Sequence, residues 1–272
     1  MTFIRRIAAS LLLTLAAGSA VAATQVNCHS SAGNVEEFRY SWRLRGGIRF
    51  LAGLVFPTAG VANLRTSFPT GNDHSIHSEL LITAPTGKQG GFFAYESEMD
   101  NSGKRTLMTY HGYSWGDKAR NERTNFDYAK GLARIHREKS DDDPEYRVKK
   151  LPSDHDEVRD ILTAIYFLRQ NAATIGGPVQ TSIFSDGKEY PVIFRPINER
   201  RTFVIEGKTV ASNGFEIVDA PGGKKWPGGV KVWLSADERR IPFRIEIQQS
   251  VATMQLDLQS VEACAFMAGA AS

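Results

Sequence analysis

Gly112-Tyr113-Ser114-Trp115-Gly116 fits the G-x-S-x-G pattern that presents a serine as a nucleophile for acyl transfer. That chemistry needs a tight strand-to-helix turn, with an acid and then a histidine further along the chain. Only His136 and His155 follow Ser114, and Asp117 to Arg123 is polar throughout, with no apolar stripe for a helix. The pentapeptide therefore reads as a glycine-flanked bend between strands, and a serine hydrolase is the least favoured function. No catalytic residue is assigned.

Asn72 to Glu79 holds His74, His77, Asp73 and Glu79, the residue types of a metal site. In an extended segment the odd spacing sends the two histidines to opposite faces. No HExxH or paired CxxC accompanies them, so a polar loop leading into a strand at Leu80 is expected. Asp141-Asp142-Asp143-Pro144 lacks the glycine and the ligand spacing of a calcium loop and is expected as a solvated acidic loop. The reading assigns no metal ligands and no cofactor.

Cys28 and Cys264 are the only cysteines. An even count in an oxidising compartment points to a disulfide joining the first and last segments, with two buried thiols as the alternative. The compartment follows from the N-terminus. Arg5 and Arg6 precede an apolar run from Ile7 to Ala17, and Ala20-Val21-Ala22 supplies a cleavage site. Residues 1–22 are expected to be a cleaved signal peptide, followed by a single β-rich domain over 23–272 in the periplasm. The apolar run is too short to span a bilayer, so no membrane-spanning anchor is expected. Removing Arg5 and Arg6 leaves a nearly neutral chain, which argues against nucleic acid as a partner.

The elements that would hold any site are mostly strands. Phe38, Tyr40, Trp42 and Leu44 alternate with Arg39, Ser41, Arg43 and Arg45, the period of a strand with one buried face. Strand-like runs recur at Leu80–Thr83, Gly91–Glu96, Thr106–Tyr110, Val179–Phe184, Tyr190–Arg195, Arg201–Ile205, Phe215–Val218, Val230–Leu234 and Phe243–Gln248, and again across Met254, Leu256 and Leu258. Turn residues at Asn101-Ser102-Gly103, Ser185–Lys188 and Ser235–Arg240 separate several of them. The expected fold is mainly β: a curved antiparallel sheet, barrel or half-barrel, with one long apolar helix packed on its concave side.

That helix is expected over Ser153–Asn171, capped by Ser153 or Asp154, with Asp156 and Glu157 at its positive end. Val158, Ile161, Leu162, Ile165 and Leu168 share one face, and Tyr166 and Phe167 widen it. Gly46-Gly47 introduces a second apolar stretch, Ile48 to Ala62, containing Phe50 and Leu54. It reads as a buried strand pair turning at Pro57–Gly60, or as an apolar flap.

Two stretches resemble a known family. Asp160-Ile161-Leu162-Thr163-Ala164-Ile165-Tyr166-Phe167-Leu168-Arg169, and Val232-Trp233-Leu234-Ser235-Ala236-Asp237 with Arg239-Arg240-Ile241-Pro242, are similar to the bacterial exported domain-of-unknown-function family 3108. The resemblance brings no catalytic residues. It implies a layout similar to periplasmic carriers of the lipoprotein-localisation type, a curved sheet closed by helices. The leading functional expectation is a non-enzymatic protein holding a lipid or acyl chain, with Ile161, Ile165, Leu168, Phe50 and Leu54 lining the site. The alternative is an envelope structural or assembly factor that binds another protein.

Overall fold

The structure, a computed structural model, describes residues 34–46, 57–71, 74–85, 91–151, 157–172, 178–185, 187–226, 228–248 and 252–264. The segment 1–22, expected to be a signal peptide, lies outside the described residues, as do Cys28, Phe50 and Leu54.

The first half of the chain is an antiparallel meander of β1 (Val35–Arg45), β2 (Ala59–Ser67), β3 (Ser75–Thr83), β4 (Gly91–Asp100), β5 (Thr106–Trp115), β6 (Lys118–Asp127), β7 (Leu132–Lys139) and β8 (Asp142–Lys150). The chain then crosses through β9 (Val158–Arg159) and helix α1 (Ile161–Asn171). A second meander follows: β10 (Val179–Ser185), β11 (Lys188–Ile205), β12 (Lys208–Asp219), β13 (Gly229–Ser235), β14 (Pro242–Gln248) and β15 (Thr253–Ala263). One sheet holds them all, running from β8 down to β1, then β15, then back down to β9. The first and last strands are thus neighbours in its middle, with Glu37 opposite Ala263 and Arg45 opposite Thr253. Among the described residues only the short β9–β10 pair is parallel.

Side-chain alternation fixes which face turns inward. On β1, Phe38, Tyr40 and Trp42 are buried while Arg39 and Arg43 are exposed, and a one-residue slip would reverse that assignment. Phe38, Tyr40 and Trp42 join Leu64, Leu80, Phe194, Phe243 and Leu258 in one large core cluster.

The helix expectation is overturned. The helix has eleven residues, Ile161–Asn171, and is not the long apolar helix placed on the concave side. Two local forces set its start. Val158 and Arg159 give their backbone to the parallel ladder with Ser182 and Ile183, so they are unavailable to a helix. Asp160 then caps the next turn, accepting from the Thr163 amide at 2.8 Å. Ser153 and Asp154, the expected caps, lie outside the described residues, and the first turn carries no acidic residue. The helix is also not simply apolar, because Thr163 and Arg169 are buried with Leu162, Ala164, Ile165 and Leu168. It packs against β3, β4, β9 and β10.

The barrel-or-half-barrel expectation resolves to a sheet whose ladder is not closed, with β8 at one edge and β9 at the other. Side chains still bridge the two ends. Phe126 on β6 and Ala133 on β7 cluster with Val158 on β9 and Phe184 on β10, and Phe126 meets Phe184 edge-on at 5.3 Å.

The polar stretch 118–150, for which no strand was expected, forms β6, β7 and β8. Asp142 and Asp143, expected in a solvated loop, open β8. On β6 the alternation is real but disguised: Glu122, Thr124 and Phe126 point inward together. Glu122 tolerates burial because Arg137 Nε donates to it at 2.6 Å and Arg120 Nη2 at 3.1 Å.

Candidate functional site

A recess lies where β11 bends. Ile197 pairs with Gly214 and Arg201 with Ser212, so β11 carries two more residues than β12 between those pairs. Such a bulge kinks a strand and increases its twist. Beyond it, the Arg201–Ile205 half of β11 comes up against β14 and β15, and the Phe203 and Phe243 rings meet at 5.8 Å. Between them is a cleft of about 390 Å³.

The cleft has a buried apolar floor and a charged rim. Phe243 and Leu258 lie beneath it at 1% and 3% exposure, half-buried Phe203 and exposed Val204 are its accessible apolar side chains, and Arg201, Arg244 and Asp257 supply two positive charges and one negative. Arg244 lies over the Phe203 ring, 5.0 Å from its centre, and its Nε donates to Asp257 Oδ1 at 2.6 Å. Arg201 sits over the Trp233 ring at 4.5 Å. Both guanidinium groups are therefore pre-oriented by stacking, which lowers the entropy cost of holding a ligand. The lining carries a net positive charge.

The other concentration of polar groups surrounds the helix. At its N-terminus, Asp160 accepts from the Thr163 amide and, at 2.9 Å, from Thr163 Oγ1; Ser97 Oγ donates to its second oxygen. Thr106 Oγ1 lies 2.9 Å from Thr163 Oγ1 as donor and accepts the Asp160 amide at 3.3 Å. Burial pushes the Asp160 carboxyl above the usual carboxylate range, and the donors from Ser97 and Thr163 and the nearby His111 offset only part of that rise. Ser97, an acid and a histidine thus lie near one another, but Ser97 and Asp160 are 1% and 4% exposed and offer no access to a substrate. Next to it, Arg159 stacks over Phe167 at 3.9 Å and donates to Thr181 Oγ1 at 2.6 Å.

The residues singled out by sequence fall in several places. Ile165 and Leu168 are buried members of the core cluster, and Ile161 packs against it. Ser114 lies in β5 between Phe92 and Ala119, and the chain after it turns at Gly116 into strand β6, so no nucleophile elbow forms. His77 faces Ser67 and Glu98 across its neighbours. Among the described residues no group of three or more His, Cys, Asp or Glu side chains converges on one point. No described helix is long and apolar enough to cross a membrane. Sequence reasoning missed the cleft arginines. Arg201-Thr202-Phe203 carries a visible alternation, but nothing local announces that a bulge upstream brings it to β14.

The sheet is similar to a solved structure, a β-barrel-like protein of the domain of unknown function DUF1849 from Brucella abortus. The TM-score is 0.54 at 10% identity, covering 85% of this chain and 98% of that one. At that identity the likeness concerns the fold alone. No curated protein matches the chain. The family model described as "Protein of unknown function (DUF3108)" matches residues 38–259, a span that includes the α1 and β13–β14 stretches, and the chain belongs to that family.

Proposed function

We propose that the protein is exported to the periplasm through a cleaved signal peptide over residues 1–22 and there binds an anionic amphiphile, an acyl chain or lipid-like molecule, without chemistry. The cleft between β11 and β14–β15 carries this reading: it combines apolar side chains with a net positive rim in a space of about 390 Å³. An acyl tail would lie against Phe203 and Val204, above the buried Phe243 and Leu258, and its acidic head would face Arg201 and Arg244.

Native mass spectrometry of the protein purified from periplasm is expected to show an adduct of acyl-lipid mass, released by organic solvent. A clean apo mass, with no uptake of added fatty acid, would overturn the reading. N-terminal sequencing of the same material is expected to begin at Ala23, and retained residues 1–22 would refute the export route. The second reading, an envelope structural or assembly factor, draws on the open sheet edge at β8.

A further inference from the structure

The order of charges along that edge strand suggests its partner. We propose that β8 pairs with β8 of a second copy of the chain, as a two-fold antiparallel dimer centred on Tyr146.

Among the described residues β8 has β7 on one side and ends the sheet on the other. Nearly all of it is exposed, including Tyr146 at 75% and Val148 at 58%. The Leu151 amide donates to the Gly131 carbonyl at 2.8 Å, which sets the phase of the β7–β8 ladder. Residues 145, 147 and 149 turn their backbone groups toward β7, whereas Tyr146, Val148 and Lys150 turn theirs to the open edge.

Asp142, Asp143 and Glu145 occupy the first half of the strand, and Arg147, Lys149 and Lys150 the second. Antiparallel pairing about Tyr146 sets Glu145, which already pairs with Arg147 of its own strand at 2.9 Å, opposite the second copy's Arg147, and brings the acidic half of the strand alongside the second copy's Lys149 and Lys150. Opposite charges face one another, and the two-fold axis repeats each contact. Shifting the centre by one residue puts Glu145 against Glu145 or Arg147 against Arg147, so charge selects one register. The Glu145/Arg147 pair lies in the regular part of the ladder; the two acidic partners lie beyond a bulge between Glu145 and Asp142. Tyr146 is already stacked on His136, at 4.4 Å and 12° between planes, which leaves the centre of the strand ordered before pairing.

Pro144 falls opposite the second copy's Val148 in this register and supplies no amide there, so the ladder bonds of the pair come from the strand between Glu145 and Lys150.

The test is sedimentation equilibrium of the mature protein across a range of concentrations and salt. A monomer–dimer equilibrium that weakens with salt is expected. Glu145→Arg and Arg147→Glu should each weaken dimerisation about tenfold or more, since each puts like charges opposite twice. The double variant E145R/R147E should restore it. Val148→Pro should abolish it by removing an amide that faces the open edge, with circular dichroism and the unfolding midpoint confirming that the subunit stays folded. A wild type that is monomeric at every concentration, or a dimer indifferent to the single charge reversals, would overturn the proposal.

Discussion

Arg169 and Arg240 cap each other's backbone. Arg169 Nε donates to the Arg240 carbonyl at 3.0 Å, and Arg240 Nη1 donates to the Arg169 carbonyl at 2.7 Å and to that of Gln170 at 2.7 Å. The last carbonyls of a helix have no partner within it, so Arg240 performs the work of a C-cap from a distant hairpin. Arg240 holds a φ of 47° to do so, in the left-handed region that a side chain normally avoids. Arg169 meanwhile grips Glu36 on β1 with both terminal nitrogens, at 2.7 and 3.0 Å. The two stretches that resemble the family therefore meet at one point. They form a latch that ties helix, β1 and the β13–β14 hairpin together, and their residues are explained by the fold alone.

Breaking the latch from one side strands a charge. Arg169→Met leaves Glu36 buried without its partner and is expected to cost about 3–5 kcal/mol in urea unfolding. Glu36→Leu combined with Arg169→Met should recover most of that loss, because neither charge then remains. A single-variant loss below about 1 kcal/mol would show that the pair contributes little.

Asp160 makes stability depend on pH in the sense opposite to most carboxylates. Its carboxyl is raised in the folded chain, chiefly by burial, so the folded state favours the neutral acid. That contribution is complete below the unfolded carboxylate value and is lost as pH rises through the raised folded one. Asp160→Asn reproduces the neutral acid: its oxygen can accept from Thr163 and its amide can donate to Ser97. The variant is expected to fold and to flatten the decline in stability above the ordinary carboxylate range. An unchanged pH profile would contradict the assignment.

The Cys28–Cys264 disulfide remains a proposal that the topology favours. Glu37 lies opposite Ala263, so the chain leaves β1 and β15 at the same end of the sheet, and Cys264 is the next residue. Cys28 is nine residues before Glu37, well within the reach of an extended chain. A bridge closing so long a loop is expected to add about 5 kcal/mol on the chain-entropy account. Two thiols titrating in the oxidised, denatured protein would refute it.

What could be read from the chain follows from how locally each feature is encoded. Phe38, Tyr40 and Trp42 announce β1 because they alternate with arginines, and Ser185–Lys188 announces its hairpin because a turn needs only neighbouring residues. The region 118–150 was illegible because Glu122 is an inward residue made tolerable by Arg137, fifteen positions away. The start of α1 is likewise set by a distant partner: Val158 and Arg159 look helical until Ser182 and Ile183 claim their backbone. Glu36 gives no sign of its role, since Arg169 lies 133 residues further on. The cleft depends on a bulge and a strand crossing, and no local period records either.

The central claim is that the cleft at the bend of β11 holds an anionic amphiphile. Gln259 lines that cleft and is exposed, so Gln259→Trp can fill it without disturbing the core. Titration with a fluorescent fatty-acid probe, run beside thermal unfolding, tests the claim most directly. The expected result is saturable binding by the wild type, weakened about tenfold or more in Gln259→Trp and in Arg201→Glu, with the Gln259→Trp unfolding midpoint unchanged. Absence of binding by the wild type, or equal binding by the wild type and Gln259→Trp, would contradict it.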